Sequence, residues 1–183
     1  MVSKFKQNNL TKRKLINALV IIISVLFCYL IAPLDLPGMS LLGVKPNWLL
    51  IWLVSWSVKR NVWDSLLAGI ILGIIQDGMT FSTPSHIWSL SIIAVLTAKI
   101  KKQRYMEEDF VSAALIVFGM TLVNETVMAI QFSLVNRDLL ADIWQNYQNI
   151  VLVSALISSL WTPVIYYPLN YWWKTLQKSK SIY

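Results

Sequence analysis

The chain has 183 residues, 56% of them apolar and only 14% charged, with sixteen Lys and Arg against nine Asp and Glu for a net charge of +7. Soluble domains carry about 25% charged residues, so an ordinary soluble enzyme is a poor reading, and disorder, which needs low hydrophobicity, is excluded. One Cys (Cys28) and one His (His86) leave no intrachain disulfide, no cysteine metal site and no multi-histidine metal site.

Basic residues open the chain: Lys4, Lys6, Lys12, Arg13 and Lys14 precede an apolar run from Leu15 to Leu34. That core is longer than a signal peptide's, and Ala32 is followed by Pro33 rather than by a small-x-small cleavage site, so a retained membrane helix fits better. Ser24, Cys28 and Ala32 give it a row of small residues, a helix-packing signal. The second stretch, Leu36 to Val58, is interrupted by Pro37, Gly38, Gly43 and Pro46. Only Pro46 to Val58 reads as clean helix, about 20 Å at 1.5 Å per residue, shorter than the roughly 30 Å hydrocarbon core. The segment 36–45 before it reads as broken or re-entrant, and such backbone must be buried in protein or face water.

The third stretch runs from Val62 to about Gln76, the fourth from Ile87 to Ala98, the fifth from Phe110 to Val135, and the sixth from Ile150 to Trp173 with Pro163 and Pro168 expected to kink it. In the loop before the sixth, Leu139, Ile143 and Tyr147 recur opposite Asp138 and Asp142, predicting a short amphipathic helix on the outer surface. The fold class is therefore an all-α integral membrane protein of six helices, with five as the alternative if Pro46 to Val58 does not cross. Residues 15–173 form one membrane domain between a basic N-terminus (1–14) and a basic tail (174–183). Placing both termini in the cytoplasm puts fourteen of the sixteen Lys and Arg inside and leaves only Lys45 and Arg137 outside. Topology thus accounts for the net charge, and nucleic acid is not needed as a partner.

Gly69 and Gly73 form G-x-x-x-G, with Asp77 four residues on and Ser65 four before, one slowly drifting helical stripe. Helix packing with a solvated Asp77 stands against a partner surface. Trp48, Trp52 and Trp56 recur every four residues, as a lipid-facing or core stripe or as a docking ridge. Glu125 lies deep in the fifth stretch beside Asn124, with Thr121, Met128 and Gln131 on its face. A carboxylate there costs a few kcal/mol unless paired, protonated or hydrated. It reads as a ligand or proton site, as a polar joint with a partner helix, or as an internal hydrogen bond to Ser154, Ser158 or Thr162, themselves an i, i+4, i+8 row. Lys99 to Arg104 with Glu107, Glu108 and Asp109 reads as a mixed-charge cytoplasmic loop, and His86 as an ordinary loop histidine. No catalytic motif is present, so no catalytic residue, cofactor or metal is assigned.

Lys45-Pro46-Asn47-Trp48-Leu49-Leu50-Ile51-Trp52 followed by Gly69-Ile70-Ile71-Leu72-Gly73-Ile74-Ile75-Gln76-Asp77 resembles the rod shape-determining protein MreD family: a Pro before a Leu-rich helix, then a G-x-x-x-G-x-x-x-D helix. Ser82-Thr83-Pro84-Ser85-His86 departs from the family's usual Leu-Gly after the Asp. The resemblance implies a non-catalytic inner-membrane component of the bacterial cell-elongation machinery, the elongasome. It implies the bitopic scaffold MreC as partner, with links to MreB, RodA and a penicillin-binding transpeptidase, and hence to peptidoglycan synthesis and cell shape. It also implies a fold similar to the substrate-binding subunits of energy-coupling-factor transporters. Pro46, Gly69, Gly73 and Asp77 would serve helix packing and the MreC surface. A substrate-binding transporter subunit for a vitamin or other small molecule remains the alternative.

Overall fold

The computed structural model describes residues 2–34, 38–80, 84–100 and 110–178. The mixed-charge loop, 101–109 of it, lies outside the described residues, as do 35–37 of the broken segment and 81–83 of the turn after Asp77. Among the described residues six α-helices follow in chain order: α1 (Val2–Ile31), α2 (Trp48–Ser57), α3 (Val62–Thr80), α4 (His86–Ile100), α5 (Phe110–Val135) and α6 (Leu140–Lys178). Three helices, Val62–Thr80, Val111–Val135 and Arg137–Thr175, are long and apolar enough to cross a membrane. Leu15–Ile31, Trp48–Ser57 and His86–Ile100 are shorter apolar helices.

The short second helix is the centre of the molecule. All ten residues of α2 are buried, and it packs against α1, α3, α4, α5 and α6. A helix that is apolar all round belongs in an interior. Its length, about 15 Å, is tolerable because protein rather than lipid surrounds it. Local chemistry sets where it starts. Pro46 disfavours helix at the residue before it, and the Asn47 side chain accepts a hydrogen bond from the Leu50 N–H at 3.1 Å, capping the first turn.

The segment before α2 makes a tight reversal. Leu41 and Val44 exchange both backbone hydrogen bonds, at 3.0 and 2.9 Å. The two residues between them, Leu42 and Gly43, have φ of 53° and 81°. Two successive positive φ values define a type I′ turn, for which Gly43 is suited and Leu42 is strained. The interruption expected here is thus a two-residue hairpin.

Two helical hairpins clasp α2. One is α3–α4 and the other α5–α6, and α4 packs on α5 between them. By contrast the backbone of α1 comes close only to α2 among the described helices, and α1 reaches α6 through side chains, as in the Trp172–Asn17 hydrogen bond. Its small-residue row makes the contact with α2: Cys28 is fully buried, and Ser24 Oγ accepts the Trp52 indole N–H at 2.9 Å.

The structure differs from the sequence reading at the sixth helix. Leu139 ends a 3-10 turn, Arg137–Leu139, while Ile143 and Tyr147 lie in the first turns of α6, which continues unbroken to Lys178. No Gly or Pro separates the amphipathic stretch from the apolar one, so nothing ends the helix between them. Pro163 and Pro168 sit inside it.

Candidate functional site

The expected site residues fall into three groups, which the fold holds in different places. The first is the Gly69-Gly73-Asp77 stripe, which faces α4 of the same chain. A Cβ on Gly69 would lie 2.8 Å from the Leu90 carbonyl oxygen, and one on Gly73 would lie 2.5 Å from the Ile87 Cα. Both obstacles are backbone, so the glycines set the spacing of the hairpin. Asp77 closes the end of it. Its Oδ1 accepts the His86 backbone N–H at 2.7 Å and faces His86 Nδ1 at 2.8 Å, while Oδ2 accepts the Ser85 hydroxyl at 2.5 Å. Ser85 Oγ in turn accepts the Ile87 N–H at 3.2 Å. Two of the four orphan N–H groups at the start of α4 are thereby satisfied, and a carboxylate sits at the positive end of its dipole.

The Asp77–His86 pair was not foreseen. Nine residues separate the partners, and no helical period connects them. A readable signal was Ser85-His86 at the start of the next apolar run, placed to cap it after a short turn from an Asp at the end of the previous one.

The second group is the tryptophan stripe with Pro46. Pro46 is buried. Trp48 and Trp52 are each 2% exposed and Trp56 is 9% exposed, so the stripe lies in the core. Trp48 packs on Trp161 of α6, with ring centroids 5.5 Å apart, and Trp52 stacks on Trp56 at 5.7 Å.

The third group lies between α5 and α6. Glu125 Oε1 accepts from Ser154 Oγ at 3.2 Å and from Asn124 Nδ2 at 3.3 Å. The serine row therefore divides its work: Ser154 serves Glu125, Ser158 Oγ accepts the Asn47 backbone N–H at 3.1 Å, and Thr162 donates to its own helix. Asn124 is buried, and its Oδ1 has no hydrogen-bond partner. Gln131 reaches only the Met128 sulfur, at 3.8 Å. Beside Glu125 an open cleft of about 290 Å³ is lined by Met128, Phe132, Ile143, Asn146 and Tyr147 among others. No group of three or more His, Cys, Asp or Glu able to hold a metal occurs among the described residues.

At the opposite end of α2 a basic cluster forms. The Arg60 guanidinium lies 4.9 Å from the Trp56 ring centroid and 4.1 Å from that of Trp173. Lys59 Nζ donates to Asn170 Oδ1, and the Trp172 indole donates to Asn17 at 3.4 Å. The beginning of the apolar part of α1, the α2–α3 turn and the end of α6 thus meet at one end of the bundle.

The outer surface is unlike a soluble protein's. Leu115, Leu160 and Tyr171 are more than 70% exposed, and large apolar residues cover the outward faces of α1, α3, α4 and α6. The interior holds Ser55, Ser65, Ser89, Thr97, Thr121, Ser154, Ser158 and Thr162. Large apolar residues on the outside, with small polar residues set among the apolar core, are the pattern of helices packed in lipid, which makes this a helical integral-membrane protein.

Within that class its family is shown by sequence. The chain belongs to the rod shape-determining protein MreD family, whose model matches residues 12–170. No curated protein and no solved structure matches it. The chain is therefore a membrane component of the bacterial rod-shape system.

Proposed function

We propose that the protein is a non-catalytic adaptor of the cell-elongation machinery. It holds the bitopic protein MreC in the cytoplasmic membrane and through it influences MreB, RodA and the penicillin-binding transpeptidase that build peptidoglycan. The observation that carries this reading is the family match over nearly the whole chain. The transporter-subunit alternative has no comparable support. The topology proposed is multi-pass with both termini cytoplasmic, supported by the Lys and Arg bias and by the basic cluster that Lys59 and Arg60 build with the end of α6.

On this reading Gly69, Gly73, Asp77 and Pro46 contribute to partner binding indirectly. The glycine face is filled by α4, so these residues fix the shape of the hairpin and the position of α2, and the partner meets surfaces that they shape.

The test is co-purification from native membranes in mild detergent. MreC should be recovered with the wild-type chain, and depletion of the chain should turn rod-shaped cells round. Recovery of a folded, monodisperse chain without MreC, even after cross-linking in intact cells, would sink the adaptor reading.

A further inference from the structure

The largest cavity described is a groove of about 780 Å³ between α1 and α3, floored by Trp52 and Trp56 of α2. Because α1 packs on α2 but not on α3, the groove opens sideways to the surroundings of the bundle. Its walls are apolar, from Ile22, Val25 and Leu26 on one side to Leu67, Ile71 and Ile75 on the other. Along α1 it extends from Asn17 to Tyr29, about 18 Å at 1.5 Å per residue. One leaflet of a bilayer holds about 15 Å of hydrocarbon, half of the roughly 30 Å core.

The charged residues of the lining gather at one end of this groove, where Asn17, Arg60 and Asp64 line it. Arg60 is held between two indole rings. Two donors at this mouth, Arg60 Nε and Trp56 Nε1, are buried and have no hydrogen-bond partner. Trp56 is more than nine-tenths buried, so its N–H has no easy access to water. Unpaired buried donors call for an acceptor, and a guanidinium with an indole N–H beside it suits a phosphate oxygen. Asp64 lies exposed in the first turn of α3, and burial, which lowers the pKa of Arg60, is opposed by its negative charge. Asp64 thus puts a negative charge beside the positive one. A purely anionic headgroup would be repelled by Asp64, whereas a headgroup carrying both a phosphate and an ammonium matches both charges.

The geometry points to a phospholipid site: a glycerophospholipid of the ethanolamine type, its phosphate on Arg60 and Trp56, its ammonium toward Asp64, and an acyl chain lying in the groove between α1 and α3. The site goes beyond the adaptor reading and does not depend on it. The lipid would complete the packing that α1 lacks on its α3 side, acting as a wedge between the first helix and the rest of the bundle.

Native mass spectrometry of the full chain, delipidated and then titrated with phosphatidylethanolamine or phosphatidylglycerol, tests this. The wild type should retain one phosphatidylethanolamine per chain, in preference to phosphatidylglycerol. Arg60→Gln should weaken that binding about tenfold or more, and Asp64→Asn should shift the preference toward phosphatidylglycerol. Ala68→Phe narrows the groove one turn beyond Asp64 while leaving Arg60 and Trp56 in place and should expel the lipid, which keeps the test valid if the Arg60 variant does not fold. Equal lipid retention by the wild type and Ala68→Phe would overturn the site. So would a photo-cross-linker at Ile71 that captures a protein helix rather than lipid in native membranes.

Discussion

The two hairpins that clasp α2 are built on opposite principles. In α3–α4 the contact is backbone against backbone: Gly69 and Gly73 remove the side chains that would separate the helices, and one carboxylate, Asp77, ties the far end. In α5–α6 the contact is made by side chains, through Glu125 with Ser154 and Thr126 with Tyr147, and a cleft remains between them. Gly119, the glycine of α5, has nothing within 4 Å of where its Cβ would be. A hairpin that depends on absent side chains tolerates no addition. One that depends on polar side chains beside a cleft tolerates substitution and retains room for adjustment.

The largest expected effect attacks the first hairpin directly. Gly73→Leu must push the α4 backbone away at Ile87 and should abolish recovery of folded, monodisperse protein. Gly69→Ala should cost about 1–3 kcal/mol as an overpacked contact. Gly119→Ala meets open space and should be neutral or stabilise by up to about 1 kcal/mol through helix propensity. Thermal unfolding in detergent reads all three. If the Gly69 and Gly119 variants melt alike, the contrast between the hairpins is lost.

Next in size is the tie at the hairpin's end. Asp77→Ala removes an acceptor serving the Ser85 hydroxyl and the backbone N–H and Nδ1 of His86 and should cost about 2–3 kcal/mol, as loss of hydrogen bonds to a charged group does. His86→Ala removes only the ring contact and should cost about half as much. Amide exchange should accelerate at the start of α4 in Asp77→Ala. Unchanged protection there would mean that the glycines alone hold the hairpin.

How far the sequence was legible differs between the same two regions. The helices were readable because apolar runs, prolines and glycines mark them, and the glycine stripe named its own packing role. The link from Asp77 to His86 was not readable, because it joins two helices across a turn and has no period. The tryptophan stripe shows the opposite limit. A four-residue repeat marks a face, but Trp48, Trp52 and Trp56 lie on a helix with no exposed face, and only the packing of five other helices around it could reveal that. Ser154 was one of three partners open to Glu125, and the choice among them depends on the register of α6 against α5. That register is a tertiary property. The amphipathic stretch before the sixth apolar run was misread as a separate helix because its pattern changes at Asn149 while its backbone has no reason to break there.

The second hairpin should be quieter when probed at its polar joint. Glu125→Gln keeps an oxygen for Ser154 and Asn124 and should change stability by less than about 1 kcal/mol. Glu125→Leu strands both donors and should cost about 1–3 kcal/mol. If Glu125→Gln proves as damaging as Glu125→Leu, the ionised carboxylate itself is required, and the joint is more than a hydrogen-bonded contact.

The smallest effect belongs to Thr126 and Tyr147, and its size follows from the proton count. Thr126 has one hydroxyl proton, and it goes to the Leu122 carbonyl at 2.7 Å. The 2.9 Å contact with Tyr147 is therefore donated by the phenol. Tyr147→Phe removes that donor but leaves Thr126 bonded within its own helix, so no buried group is stranded. The cost should be about 0.5–1 kcal/mol. Thr126→Val removes the acceptor and leaves the phenol at the edge of the cleft, where it can turn toward water. A double-mutant cycle isolates the shared bond and should give a coupling of about 0.5–1 kcal/mol. A coupling near zero would show that the first turns of α6 are held to α5 by apolar contact alone. The polar contact of the second hairpin would then rest on Glu125 with Ser154.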